Sequence, residues 1–544
     1  MSPSSIGRSS VLLASGTFVS RIMGFVRSIV LAATIGAVNS ASADAFAVAN
    51  QLPNNIYAII AGGTLSAVLV PQIVRAMLHS DGGSAYINKL LTIAMVILGA
   101  TTLVATLAAP ALVWISTTTW TGDQRALAVV FAYWCLPQIF FYGLYTVLGE
   151  VLNAKNAFGP FTWAPVLNNV VSILGLVAFM VLFGADSEGV RAVTDWSPSM
   201  VVLLGGSTTV AVAAQALILF VAWRRVGVRY RPDFRWRGVG LGSAGQLAGW
   251  TFAMLLVTQA AGLLETNIAA IASGQGASVA AVSYAWLIFM LPHSLVTVSI
   301  ATTFFTRMST HASKGDMGSF RVDVSTLLRT TGAFMVLANV VLAVVAYPFA
   351  SLFSDTASDA VAMGNVLIAF LVGLIPFTVL FILQRVYYAL SDTRTPFFLQ
   401  VLQASIFAVL ALLSGLLPVQ WIAIGLALSL SAATGVQTLV AALLVRRKLG
   451  GTGGRTVLVS FARFVGAAVP AGIVGLLVMW ALQQLFGTDF ITGGYLTPIL
   501  TMLIVGVVML AVYAGALLLL RSPEVHEARA LVMSRIRRRR PDPS

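Results

Sequence analysis

Apolar runs of about 20 or more residues return from one end of the chain to the other, each long enough to cross a hydrocarbon layer about 30 Å thick as a helix. A segment surrounded by hydrocarbon has to satisfy its own backbone, so helices follow. We count about fourteen candidate spans, at residues 11–36, 44–77, 88–117, 125–152, 158–183, 199–222, 242–272, 278–308, 327–353, 359–390, 396–417, 419–446, 457–485 and 495–520. Composition agrees, with 58% hydrophobic and 9% charged residues where a soluble domain carries about a quarter charged. The first run follows Arg8, carries arginines and is followed by no small-residue cleavage site, so it reads as a retained helix rather than a signal peptide.

Lys and Arg collect in cytoplasmic connections, so loop charge gives an orientation. One set of connections holds Arg75 and Lys89, Lys155, the run from Arg224 to Arg237, then Arg307, Lys314 and Arg321, then Arg394, then Arg446, Arg447, Lys448 and Arg455. The alternate set holds little beyond Arg125 and Arg191, with acids such as Asp123, Asp186, Glu188, Asp355 and Asp489. The basic set is expected inside, with both termini in the cytoplasm. The net charge of +14 sits mostly in these loops and the tail, so topology accounts for it and no nucleic-acid partner is expected. Tail arginines from Arg535 to Arg540 are also placed to touch anionic lipid heads. Cys135 is the only cysteine, which excludes an intrachain disulfide framework, and His79, His293, His311 and His526 lie scattered with no metal-ligand spacing.

The expected fold is an all-α polytopic membrane protein. A weak echo recurs at roughly 235 residues, Thr17-Phe18 against Thr251-Phe252, and transporters are often built from such repeats. The reading is an N-terminal lobe over 1–222, a basic linker over 223–241, a C-terminal lobe over 242–447, two further helices over 457–520 and a basic tail over 521–544. Gly450 to Gly454 reads as a flexible hinge. The letters Gly240-Leu241-Gly242-Ser243-Ala244-Gly245 match a dinucleotide fingerprint, but no strand precedes them, so the match is rejected.

A charge at membrane depth costs about 2.5–3.5 kcal/mol, so each invites a role. Arg21 and Arg27 flank one broad face of the first helix, about 9 Å apart along the axis and roughly 120° around it. Their planar forks suit phosphate oxygens, and the alternative is snorkelling or pairing with a buried carboxylate. Arg21 lies near mid-span, where snorkelling is hardest, so a cavity-facing reading is preferred. Gly24 between them exposes backbone to a headgroup or to a neighbouring helix. Asp44 opens the second helix as either an N-cap or a site residue. Asn50, Gln51, Asn54 and Asn55 surround Pro53, whose freed carbonyls they satisfy unless they face a wet cavity. Glu265 is a counter-ion, a coupling-cation ligand or a protonated buried acid. Glu150, Arg385 and His293 read as structural.

The stretch Ser20-Arg21-Ile22-Met23-Gly24-Phe25-Val26-Arg27, followed by Asp44-Ala45-Phe46, Leu52-Pro53-Asn54 and Val70-Pro71, resembles the opening of the MurJ (MviN) lipid II flippases. Leu152-Asn153, Ala164-Pro165 with Asn168, Ser283-Tyr284-Ala285 and the run from Tyr388 to Pro396 extend the likeness along the chain. The resemblance implies the multidrug/oligosaccharidyl-lipid/polysaccharide (MOP, MATE-like) exporter fold in a bacterial cytoplasmic membrane. Its two lobes would enclose a central cavity, with a groove from the last two helices for a polyprenyl tail. It implies Arg21 and Arg27 as pyrophosphate contacts and Asp44 as a family acid. The implied cargo is an undecaprenyl-pyrophosphate-linked disaccharide-pentapeptide, and the implied partners are membrane lipids and cell-wall synthesis or division proteins. The chain departs from the pattern at Ser28, where the family often has an acid, and at Tyr57, Ala58 and Trp286, where it often has arginine.

The mechanism expected is alternating access without covalent chemistry or a cofactor, driven by the membrane potential or a coupling cation. The rivals are an exporter of another polyprenyl-linked glycan or a cationic drug, a membrane transferase or hydrolase, and a non-transporting scaffold. A drug exporter would want a carboxylate-rich cavity, and an enzyme would want paired acids or a metal cluster.

Overall fold

The structure is a computed structural model that describes residues 3–61, 84–155, 157–227, 230–235, 245–451 and 454–524. Val70-Pro71, Gly240 to Ala244, Thr452-Gly453 and the arginine-rich tail lie outside them. The principal helices are α1 Pro3–Ile35, α2 Ala41–Ile60, α3 Ser84–Leu107, α4 Ala109–Ser116, α5 Gly122–Cys135, α6 Gln138–Ala154, α7 Phe158–Phe183, α8 Pro198–Arg225 and α9 Gly245–Ala269. They continue as α10 Val279–Pro292, α11 Val298–Ser313, α12 Met317–Val344, α13 Ala357–Leu371, α14 Leu374–Ala389, α15 Arg394–Ser414, α16 Val419–Leu449, α17 Gly454–Phe486 and α18 Leu496–Leu519. No strand occurs among the described residues.

Twelve helices among the described residues are long and apolar enough to cross a membrane, or thirteen with α13 and α14, bent by 43°, taken as one span. The remaining candidate, 44–77, is described only as far as residue 61. Polar side chains set several starts: Ser40, Ser197, Asp316 and Thr356 each accept a bond from a backbone N–H one turn on. Pro110 splits the third run into α3 and α4, because it supplies no N–H for a continuous helix.

The chain divides into two compact units, Met1–Tyr284 with Gly415–Ile422, and Ala285–Ser414 with Ala423–Ser544. The first contains α1 to α9. Its core joins Leu90 and Leu91 of α3, Val147 and Leu148 of α6, and Leu219 and Trp223 of α8, with the Trp223 indole donating to the Leu148 carbonyl at 3.1 Å. Helices in lipid are held by such close packing and by hydrogen bonds, since leaving lipid for another apolar surface gains little.

In the second unit, Phe320 and Leu327 of α12 pack with Leu383 and Val386 of α14 and Val445 of α16. Phe464 and Ala467 of α17 and Met509 and Tyr513 of α18 pack together against the outer part of α12. Here the Tyr388-to-Pro396 run has a structural meaning. Asp392 accepts from the Thr395 N–H at 3.0 Å, opening α15, and from Lys448 Nζ at 2.5 Å, tying that corner to the end of α16. Partial burial pushes its carboxyl up, but the bonds from Lys448 and Thr395 outweigh that and hold it below the usual aspartate value. The tie therefore stands at neutral pH and is lost only as pH falls through that depressed value.

Trp286 stacks on Phe289 at 4.9 Å and meets Phe370 and Phe377 edge-on. His293 is buried in a π-helical turn after Pro292, with Nδ1 3.5 Å from Thr378 Oγ1 and its ring between Phe377 and Phe381. Its ring thus sits in an aromatic setting. Arg385 lies over the Phe381 ring at 4.8 Å.

Candidate functional site

Packing of α1 along α7 places the two arginines. The Asn169 amide of α7 donates to the Ser20 carbonyl at 3.0 Å. One turn on, a Cβ built on Gly24 would lie 3.7 Å from that same amide, so Gly24 serves a neighbouring helix. Ser28 is buried and donates to the Gly24 carbonyl at 3.0 Å. No carboxylate therefore stands beside Arg27 on its own helix.

Arg21 lines an open cleft of about 650 Å³ together with Thr17, Ser20, Tyr145, Asn153 and Phe161, all in the first unit. Neither Arg21 nor Arg27 forms an ion pair among the described residues. The Arg27 charge interacts electrostatically with Tyr142 and Tyr284. Tyr142 extends this into a polar chain: it bonds Asn54 and donates to Gln138 Oε1 at 3.1 Å, while the Gln138 amide donates to Asn50 Oδ1 at 3.3 Å. The structure thus joins Arg27 to Asn50 and Asn54 through α6. Asn55 takes no part in that chain. Tyr57 hydrogen-bonds Thr146 and packs its ring 5.6 Å from Tyr142, adding an aromatic wall to that chain.

Asp44 takes the less expected place. Ser40, not Asp44, caps α2, accepting from the Ala43 N–H at 3.1 Å, which removes the capping alternative. Asp44 lies one turn into the helix and is 2% exposed. Its carboxylate accepts from Ser273 Oγ at 2.5 Å and from the Ala280 N–H at 2.9 Å, fastening α2 to the turn between α9 and α10. The Gln124 amide reinforces that corner, bonding Ser273 Oγ at 2.7 Å. Glu265 of α9 forms no ion pair among the described residues. Two residues on, Asn267 accepts from the Thr118 N–H at 3.0 Å and donates to the Ile115 carbonyl.

Sequence reasoning missed Tyr142 and Tyr145 as site residues. Their signal is a stripe down one face of α6, Tyr142, Tyr145, Thr146, Gly149 and Asn153, polar or aromatic at helical spacing within an apolar run. Gly149 belongs to it for a steric reason, since a Cβ there would meet Phe161 at 2.2 Å. Gly149→Leu should displace Phe161, destabilising the folded protein by about 1–3 kcal/mol; a lower unfolding midpoint in detergent is the measurement.

The family model described as "Lipid II flippase MurJ" matches residues 31–520. The chain belongs to the MurJ family. Arg21 and Arg27 precede the matched stretch, so their place in the site rests on the geometry above. Among curated MurJ relatives, a probable lipid II flippase of Borreliella burgdorferi is 25% identical over 414 residues, 72% of this chain and 75% of the relative. One from Haemophilus influenzae is 26% identical over 406 residues, 70% and 75%. Among solved structures, a lipid II flippase MurJ in an inward closed conformation matches with a TM-score of 0.70 at 20% identity, covering 93% of this chain and all of that one. An inward-facing MATE multidrug transporter of the MOP superfamily matches at 0.63 and 16%, covering 79% and 94%. The expected fold, a MurJ- and MATE-like all-helical membrane protein, is the one found.

Proposed function

We propose that this MurJ family member moves the undecaprenyl-pyrophosphate-linked disaccharide-pentapeptide from the inner to the outer leaflet of the bacterial cytoplasmic membrane by alternating access. The observation that carries the reading is a pair of guanidinium groups on one membrane helix, without carboxylate partners among the described residues, one of them on an open cleft. A buried charge without a partner is expensive, and a diphosphate supplies the missing anion with bidentate geometry. No covalent step is needed.

Loop charge orients the chain with both termini inside, which puts the α6–α7 end of the cleft toward the cytoplasm, where the cargo is made. Two arginines against a diphosphate leave the loaded site near neutral. The empty site is cationic, and an inside-negative potential draws it back at about 2.3 kcal/mol per charge per 100 mV. A coupling cation, with Glu265 as its candidate ligand, is the second driver considered. A drug exporter of this fold would instead want carboxylates in the cavity, and Asp44 is already committed to Ser273 and Ala280.

The test is rescue of a cell depleted of its lipid II flippase. Wild type should restore growth and outward lipid II, and collapsing the membrane potential should stop flipping within one cycle. Rescue with unchanged flipping after collapse would remove the potential from the mechanism, and failure to rescue would remove the function.

A further inference from the structure

The cleft beside Arg21 contains more than a phosphate needs. Tyr145 and Phe161 stand there as a stacked pair, ring centroids 4.9 Å apart and planes 16° from parallel. The pair is rigid. The Tyr145 hydroxyl donates to the Phe161 carbonyl at 3.0 Å and also bonds Gln215, whose Oε1 accepts from Asn168 at 2.7 Å. Gly149 leaves room for Phe161 to lie against α6. With its hydroxyl committed to protein, what Tyr145 offers the cleft is ring surface. Asn153, one more turn along α6, brings to the same cleft an amide with no hydrogen bond among the described residues.

An aromatic ring held beside a neutral amide and a cation suits a pyranose attached to a phosphate. One face of a pyranose is a patch of C–H bonds that fits the electron-rich face of an aromatic ring, while its hydroxyls and acetamido groups want neutral hydrogen-bonding partners. An isoprenoid tail would gain nothing from the amide or the guanidinium. The cleft volume of about 650 Å³ lies within the range of ligand sites and admits sugar rings beside the diphosphate.

We propose that Tyr145 and Phe161 form a carbohydrate platform, with Asn153 as its hydrogen-bonding partner, that takes the sugar next to the diphosphate held at Arg21. This rests on the functional reading above and names which part of the cargo the cleft recognises. It also assigns to aromatic stacking a share of the recognition that relatives with more cavity arginines would place on charge.

The test compares two probes on the purified full-length protein in nanodiscs: undecaprenyl pyrophosphate, and the same lipid carrying disaccharide-pentapeptide. Tyr145→Leu should weaken binding of the sugar-bearing lipid roughly tenfold and leave undecaprenyl pyrophosphate within about twofold. Tyr145→Phe, which keeps the ring, should stay close to wild type on both. Should Tyr145→Leu fail to give monodisperse protein, Phe161→Leu carries the same comparison. Equal weakening of both probes, or of neither, overturns the platform. Wild type binding both probes equally overturns it too and leaves the flippase reading standing, whereas wild type binding neither removes the flippase reading itself.

Discussion

Alanine at both Arg21 and Arg27 should abolish rescue of a flippase-depleted cell while leaving the variant at normal abundance in the membrane. Hydrogen bonds to charged groups contribute about 1.5–3 kcal/mol each. Losing one such bond from each arginine weakens cargo binding by roughly a hundredfold to ten-thousandfold, at tenfold per 1.4 kcal/mol. Single substitutions should fall between, with Arg21→Lys recovering less than charge alone implies, because an ammonium lacks the planar fork. The measurements are growth rescue, outward lipid II and binding of undecaprenyl pyrophosphate. A scaffold with no transport role would tolerate the double substitution.

Asp44→Ala is the second large effect, and it works through a different link. The substitution strands the buried Ala280 N–H and takes the carboxylate from the half-buried Ser273 hydroxyl. An unsatisfied buried donor costs about 1–3 kcal/mol, so the pair should lower the unfolding midpoint by several degrees. It should also loosen α2 from the α9–α10 turn and remove transport. Asp44→Asn keeps an acceptor for one donor and should be milder. The decisive readout is binding: a clamp predicts that folded Asp44→Ala protein still takes undecaprenyl pyrophosphate, whereas a substrate contact predicts that it does not.

Much of this fold is legible in the sequence because hydropathy and backbone satisfaction leave so few choices. Spans and the alternation of loop charge follow from local chemistry, whereas the break at Pro110 falls inside a run that reads as one span. What stays hidden depends on helix rotation and on partners far along the chain. Asp44 looks like a cap because Asp is common there, but the residue that caps α2 is Ser40, four positions earlier. Its true partners lie more than two hundred residues away, beyond any local pattern. Arg21 and Arg27 stand out since charge in an apolar run is conspicuous. Tyr145 and Phe161 do not, because aromatics are ordinary in membrane helices, and only the packing of α6 on α7 sets them beside a guanidinium.

The central claim is that the face of α1 bearing Arg21 borders water rather than acyl chains. Thiol reactivity at single positions measures it, since a charged methanethiosulfonate reacts only with a hydrated thiolate. The background protein carries Cys135→Ser, which removes the only native thiol, a buried one. In inside-out vesicles, Arg21→Cys should label at least tenfold faster than Ile22→Cys, at a neighbouring apolar position that is 47% exposed and should face lipid. Equal, slow labelling at both positions would contradict the account.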